Sequence, residues 1–397
     1  MSVRKREWKT PKGVEKSAWV VDYVDTTGIR RLKTFQKKKE ADAFSATASV
    51  EVREGTHVAD SASVTIEKAG KLWIASGENA GLERSTVDQR KNHLQNHIVP
   101  FIGSTLLSKA SVPSVREFED RLRSEGRSAA MTKKVLTSLG SIFGDAIERG
   151  LGSRNPVRDI RGGRKGRERR SERRQKGRLE VGVDIPTRDE IKALIAALEG
   201  NWRPLLLTVI FTGMRSSELR GLRWQDVDMK RAEITIRQRV DQYRKIGKPK
   251  SEAGIRTIPV PPLVISALKQ QKLKQANGTD FVFANPDGDS RSHSNVVSKG
   301  LQPAMVRAGV TVNSGKKDAK GNPILAAKYP GLHALRHFYA SWLINRKEDG
   351  GLGLPPKMVQ ERMGHSSIVM TMDVYGHLFP RTDDGTELAE AASSLLS

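Results

Sequence analysis

The chain has 397 residues, more than one ordinary core serves, so roughly two or three domains are expected. It contains no cysteine, which excludes disulfides, thiolate metal sites and a cysteine nucleophile together. Lysine and arginine number 69 against 45 acids, a formal charge of +24, far beyond what solubility requires; a compact fold carrying it needs a polyanion, and nucleic acid is the expected partner.

Hydrophobic residues make up 37%, enough for globular domains. The longest strongly apolar run, around Leu205 to Phe211, is far short of the roughly 20 residues a bilayer requires. No basic amphipathic helix of the interfacial kind stands out, so an anionic membrane surface is the weaker partner. Ser2 to Glu7 is polar and charged with no apolar stretch behind it, so no secretory signal is expected, and a cysteine-free chain fits the cytoplasm.

Residues from about Trp19 to Phe35 alternate as strands do. Trp19, Val21 and Tyr23 share a face, Asp25 to Gly28 makes a turn, and Ile29 to Phe35 returns. A helix follows from about Lys37 to Glu54, stopped by Gly55. Arg30, Arg31, Lys33, Lys37 and Lys38 give this small sheet-plus-helix module a basic edge, suited to a DNA groove or to plain solvation.

Four helical segments come next, Val64 to Ser76, Ser85 to Ile98, Val112 to Glu125 and Ala129 to Arg149, separated by Gly81, by Pro100 with Gly103, and by Gly126. Ile66, Ala69, Leu72 and Trp73, then Val135, Leu139, Ile142, Phe143 and Ala146, fall at core spacing. Arg84, Arg90, Lys91, Lys133 and Lys134 lie off those stripes and are candidates for phosphate contact. From Arg158 to Arg178 the sequence becomes basic and poor in large apolar residues, with Arg164, Arg167 and Arg170 at its centre. Such a stretch cannot bury enough surface to fold alone and reads as a linker, a phosphate-seeking strap or a nuclear-localisation run.

The last domain begins at a capping box, Thr187 as N-cap with Glu190 three residues on. A second helix, Trp202 to Phe211, runs into Gly213. Ile234 to Arg239 and Arg256 to Val260 read as strands around a polar bend holding Lys250, and 311–329 reads as an inserted polar loop. Gly309 with Gly315 and Lys316 has the wrong spacing for a phosphate loop, and Lys317 stands where Ser or Thr is required, so no ATP site is expected. Near the end, Leu388, Ala391, Ala392, Leu395 and Leu396 share a face that can dock on a neighbouring copy or on the same chain.

Chemistry-bearing residues recur in four short blocks: Thr212 to Leu219 with Arg215 and Glu218; His333, Arg336 and His337; Gly364 with His365; and Val374, Tyr375, Gly376 and His377. Attack on phosphorus builds charge on the non-bridging oxygens, and donors aimed at that charge are the largest lever available. Arginine offers a rigid, permanently charged fork for it, so Arg215 and Arg336 are the expected clamp. Tyr375 is the candidate nucleophile; a phenol with a pKa near 10 needs proton acceptors close by, and His333 and His365 are expected to supply them. His337 and His377 read as supporting or surface residues. Lys250 reads as a general acid for the leaving oxygen or as a solvated turn lysine.

These blocks resemble the tyrosine recombinase (phage integrase) family, closely over Thr187 to Phe379 and more loosely before it. The resemblance implies Arg215 and Arg336 as the arginine pair, His333 and His365 as the histidine positions, Lys250 as the hairpin lysine, Tyr375 as the nucleophile and Glu218 as a supporting acid. Met363 stands where leucine is usual, and the 311–329 insertion is long.

A multidomain fold is therefore expected, mainly α with small β-sheets. It comprises an arm-binding-like sheet-and-helix module at 1–57, a four-helix SAM-like core-binding bundle at 62–155, a basic linker at 156–184 and a mixed α+β catalytic domain with its tail at 185–397. The resemblance implies that bundle and catalytic domain clamp opposite faces of double-stranded DNA and that four copies act together on attachment sites. The covalent 3′-phosphotyrosyl link would store the bond energy, so no metal or other cofactor is expected. A small directionality factor and host architectural proteins are further expected partners. A type IB topoisomerase shares the tyrosine chemistry on one duplex; a metal-dependent nuclease lacks its clustered carboxylates here; a non-enzymatic DNA-binding regulator would need only the N-terminal modules.

Overall fold

Apolar alternation between Trp19 and Phe35 marks two strands of a three-stranded antiparallel sheet, order β1-β2-β3, from Ser2–Lys9, Glu15–Val24 and Arg30–Phe35. The structure is a computed structural model describing residues 1–11, 14–55, 57–160, 178–275, 278–380 and 392–396. It divides into two compact units, Met1–Gly166 and Arg167–Ser397. The chain is mainly helical with small sheets.

In the first unit, β2 and β3 pair with Val21 opposite Lys33 and Tyr23 opposite Arg31. Asp25 closes the turn, its Oδ1 accepting from the backbone N–H groups of Thr27 and Ile29, both at 2.9 Å, while Gly28 takes φ +80°. Val21 and Tyr23 are buried against Ala41 of the Lys38–Arg53 helix, with Trp19, Phe35 and Phe44 around them. β1, which sequence patterning did not reveal, pairs along β2 and is almost wholly exposed, so it carries no apolar alternation.

The bundle is built from helices Ile66–Asn79, Arg84–His93, Val112–Ser124 and Ala129–Glu148. Thr65, Ser111 and Ser128 cap three of them, each side chain accepting from a backbone N–H three residues on. Their inward stripes, Trp73, Leu94, Phe118, Leu122, Val135, Leu139 and Phe143 among them, form one core. Pro100 does not end its helix as expected. The helix passes through a π turn at Leu94–Ile98 and continues over Val99–Ile102. Proline removes an N–H and crowds the carbonyl four residues back, and the wider turn accommodates both.

The second unit opens on the capping box: Thr187 Oγ1 accepts from Glu190 N at 3.2 Å and Glu190 Oε2 from Thr187 N at 2.8 Å. Its centre is the Trp202–Thr212 helix, in which Leu205, Leu206, Leu207, Val209 and Ile210 are all buried. A helix apolar on every side must be surrounded, and each such side chain contributes roughly 1.5–3 kcal/mol. The Pro262–Lys274 and His333–Ile344 helices pack on it. A sheet in the order β4-β5-β8 (Val227–Asp228, Glu233–Ile236, Arg256–Pro259) flanks this core, with Ile234 opposite Ile258. Between β5 and β8, β6 (Arg239–Val240) and β7 (Ile246–Gly247) form a hairpin. The expected polar loop at 311–329 is instead a second hairpin, β9 Thr311–Lys317 with β10 Pro323–Ala327, closed at Gly321 with φ +84°. Its strands are mostly exposed, so no apolar period marked them. Helices Pro356–Met363 and Ile368–Tyr375 follow. Among the described residues no helix is long and apolar enough to cross a membrane.

Candidate active site

Gly213 ends the Trp202–Thr212 helix at φ +57°, and a Cβ there would lie 2.4 Å from Tyr339 Cδ1. Only glycine suits so tight a left-handed turn against a ring. The chain then re-enters helix at Ser216–Arg220 with Arg215 at its N-cap, and Glu218 Oε2 accepts from the Arg215 backbone N–H at 3.0 Å. The spacing from Thr212 to Glu218 is thus a helix stop followed by a helix start, and it presents Arg215.

A second glycine stop does the same for the distal blocks. Gly364, at φ +63°, ends the Pro356–Met363 helix, whose last carbonyls have no partner within the helix. The Met363 carbonyl accepts from Arg336 Nη2 at 2.5 Å and the Gly364 carbonyl from Arg215 Nη2 at 3.1 Å. Arg336 also donates through Nη1 to the Gly213 carbonyl at 2.5 Å. Two guanidiniums are therefore held by the negative ends of two helices, a favourable placement for cations. Arg336 is 2% exposed. Burial, with the charges of Arg215 and Arg256, pulls its pKa down to about 9, which leaves it charged at neutral pH.

What keeps like charges together is Glu218. Its Oε1 accepts from Arg215 Nη1 at 2.8 Å and its Oε2 from Arg256 Nη2 at 2.9 Å. Burial alone would raise this carboxyl, but Arg256 and Arg215 outweigh it and hold its pKa below the ordinary value. Arg256 was not singled out from sequence. It is tied in through Nε to the Arg362 carbonyl at 2.8 Å and through Nη1 to the Gly254 carbonyl at 3.0 Å. A signal existed: in β8, Arg256 and Ile258 share the buried phase of the strand.

Tyr375 is the last residue of the Ile368–Tyr375 helix, capped by Ser367, and is 2% exposed. Burial pushes its pKa up to about 12, while Arg336 and Arg215 act in the opposite sense, favouring the phenolate. Its hydroxyl lies 2.8 Å from Nδ1 of His337, which the sequence marked as a supporting or a surface residue. His365 lies with its ring parallel to the Tyr375 ring, centroids 6.1 Å apart, but its Nδ1 is 2.9 Å from Thr371 Oγ1. Burial, reinforced by nearby positive groups, brings both His337 and His365 down to about 4, so each is neutral at physiological pH. His333 is the most open of the three; its surroundings and the Arg336 and Arg215 charges lower its pKa as well. His377 is drawn away, its Nε2 lying 2.8 Å from the Leu179 carbonyl.

The structure therefore brings Arg215, Glu218, His333, Arg336, His365 and Tyr375 together. Lys250 is exposed, on the bend between β7 and β8. The segment just beyond it abuts the Gly364 turn, where a Cβ would lie 3.0 Å from the Ala253 carbonyl oxygen. Among the described residues no group of three or more potential metal ligands gathers.

The basic candidates of the first unit differ among themselves. Arg30 pairs with Asp22, Arg31 with Asp25 and Lys33 with Asp60, at 2.5, 2.8 and 2.7 Å. Lys91 pairs with Glu78 at 2.8 Å, and Arg84 lies 4.0 Å from Asp88. Arg90 turns inward, its guanidinium 4.2 Å from the Trp73 ring centroid and donating to the Trp73 carbonyl at 2.9 Å. Lys38 lies over the Trp19 ring at 5.5 Å, while Lys37, Lys133 and Lys134 are exposed. Arg164, Arg167 and Arg170 lie outside the described residues, as do Leu388 and Ala391; at 392–396 the chain is helical, with Leu395 and Leu396 exposed.

Comparison with known proteins follows the same division. Residues 186–381 match the phage integrase family and residues 66–163 the phage integrase central domain. A tyrosine recombinase XerC-like protein of Caldanaerobacter subterraneus subsp. tengcongensis is 26% identical over 89% of each chain. The ICEBs1 integrase of Bacillus subtilis is 24% identical over 93% of each. Among solved structures, the Tn1549 transposon integrase in complex with a circular intermediate DNA is similar at a TM-score of 0.61 and 19% identity, covering 84% of this chain and 100% of that one. A lambda integrase tetramer bound to a Holliday junction is similar at 0.55 and 16%, covering 91% and 95%. Two glycine-stopped helices holding an arginine pair beside a buried tyrosine thus sit in the part of the chain that the family match spans, and the chain belongs to the phage integrase family of tyrosine recombinases, DNA breaking-and-rejoining enzymes.

Proposed function

We propose that this protein is the integrase of a mobile genetic element, inserting it at attachment sites and excising it by the reverse reaction. The Tyr375 oxygen attacks the scissile phosphorus, the bond to the 5′-oxygen breaks, and a 3′-phosphotyrosyl link remains. A 5′-hydroxyl from a partner strand then attacks that link and releases Tyr375. Arg215 and Arg336 hold the charge that grows on the non-bridging oxygens, His333 and His365 hydrogen-bond the phosphate, and Lys250 protonates the departing oxygen. The observation that carries this reading is the pair of guanidiniums hung on the adjacent Met363 and Gly364 carbonyls, close enough to Tyr375 to favour its phenolate.

Each unit contacts duplex DNA through its own basic residues, with Lys37, Lys133 and Lys134 exposed in the first. The sheet module at 1–57 reads arm-type sites, the bundle at 62–155 reads core sites, and the catalytic domain at 185–397 holds the scissile phosphate, with 156–184 as the basic connection. Four copies act on two DNA sites, a reading supported by the similar lambda integrase captured as a tetramer on a Holliday junction. A small directionality factor and host architectural proteins complete the set of partners, on DNA in the cytoplasm. Nicked suicide DNA tests the chemistry. The expected product is a covalent adduct mapping to Tyr375, and an adduct on another residue would overturn the assignment. Plasmid relaxation with no recombinant product would move the protein to topoisomerase chemistry.

A further inference from the structure

A phenol has to lose its proton as it attacks phosphorus, and the residue in contact with the Tyr375 hydroxyl is the natural place to look for the acceptor. That residue is His337, its Nδ1 2.8 Å from the phenolic oxygen. It follows Arg336 directly on the His333–Ile344 helix, so the element that fixes the buried guanidinium also fixes this imidazole. The His333 ring stands edge-on to it at 4.5 Å and the Tyr375 ring lies at 5.8 Å, which limits how it can turn. His365 has its Nδ1 engaged with Thr371 instead.

On the reading of Tyr375 as nucleophile, on which this rests, we infer that His337 is the general base of strand cleavage, with Nδ1 taking the phenolic proton as the oxygen–phosphorus bond forms. The electron pair of the O–H bond is freed for phosphorus, the bond to the 5′-oxygen breaks, and that oxygen takes a proton from a separate donor, Lys250. In rejoining, the roles reverse: Lys250 accepts from the attacking 5′-hydroxyl and His337 returns its proton to the departing phenolate. No proton is gained or lost over the cycle. The groups facing His337 are His333 and Arg336 on its own helix, Tyr375 on the Ile368–Tyr375 helix, and Asp184 just ahead of the Arg188–Ala196 helix. Without DNA, burial and the positive neighbours keep the imidazole neutral, with a nitrogen open to a proton. A phosphate docked on the arginines adds negative charge and raises the imidazole's basicity when it is needed.

The test is single-turnover adduct formation by the full-length protein on two nicked suicide DNAs, one with the natural 5′-oxygen leaving group and one with sulfur in its place. Sulfur departs without protonation, which separates the base from the acid. H337N keeps an acceptor near the Nδ1 position but cannot carry the proton away; H337A removes both. Both variants are expected to bind DNA as the wild type does and to cleave roughly 10²-fold more slowly on both substrates, whereas K250A recovers on sulfur. H337N cleaving at the wild-type rate would reduce His337 to a positioning residue and overturn the inference, as would rescue of H337N by sulfur. Absence of a wild-type adduct at Tyr375 would instead sink the underlying reading. Nitrogen-15 histidine NMR of the wild-type protein needs no variant: a bare Nδ1 with the proton on Nε2 is expected, and an Nδ1–H donating to the phenolic oxygen would overturn the inference.

Discussion

Arg215 and Arg336 belong to different helices, yet their guanidiniums donate to consecutive carbonyls, Gly364 and Met363, at the end of a third. A helix C-terminus has carbonyls to spare and a partial negative charge, so it can hold two cations that would otherwise repel. The same turn delivers His365 and leads into the helix of Tyr375. Geometry at one glycine therefore controls four side chains.

Gly364→Ala tests that control. The added Cβ would meet Arg256 Nη1 at 2.6 Å and the Ala253 carbonyl oxygen at 3.0 Å, at a φ of +63° that side-chain residues avoid. A loss of about 1–3 kcal/mol in urea unfolding is expected, together with strand cleavage reduced more than DNA affinity.

Glu218→Ala should be more damaging to the fold. It leaves Arg256, 9% exposed, without its carboxylate and Arg215 without its 2.8 Å partner. Removing one member of a buried ion pair costs about 3–5 kcal/mol. Glu218→Gln, which keeps shape and one acceptor, should lose less, and denaturant midpoints of the two variants compared with wild type decide it.

Acid should weaken the second unit before its carboxylates titrate. His337 and His365 sit near 4 when folded, against 6.5 for an unperturbed histidine. The unfolded chain thus binds more protons in that interval, so stability is fully present above pH 6.5 and is lost as pH falls toward 4. The loss amounts to on the order of 3 kcal/mol for each imidazole over the whole interval. Thermal unfolding between pH 7.5 and 4.5 measures it, and His337→Asn should flatten the curve.

Salt dependence separates the basic residues of the bundle. Lys133→Ala or Lys134→Ala should each lower the slope of log affinity against log salt by about 1, with little change in stability. Arg90→Ala should leave the slope nearly unchanged and lower the unfolding midpoint, since its guanidinium is stacked on Trp73.

Local rules made much of this protein legible. The Thr187 box, the glycine stop at 213 and the fully apolar helix after Trp202 each act within one or two turns of chain, and each formed. Residue types and short spacings likewise marked Arg215, His333, Arg336, His365 and Tyr375 as a set. Elements without an apolar period were missed, because β1 and the β9–β10 hairpin are mostly exposed and bury no alternating stripe. Pro100 misled, since a π turn can carry a helix past a proline and nothing in the residue order announces it.

What the tertiary structure alone decided is who touches whom at the site. Glu218 meets Arg256 rather than Arg215 alone, Arg90 folds onto Trp73, and the Tyr375 hydroxyl meets His337 rather than His333 or His365. These contacts join elements far apart in the chain, where no periodicity links the partners. Which imidazole reaches the phenol depends on how two helices cross, and that is fixed by the packing of the whole core.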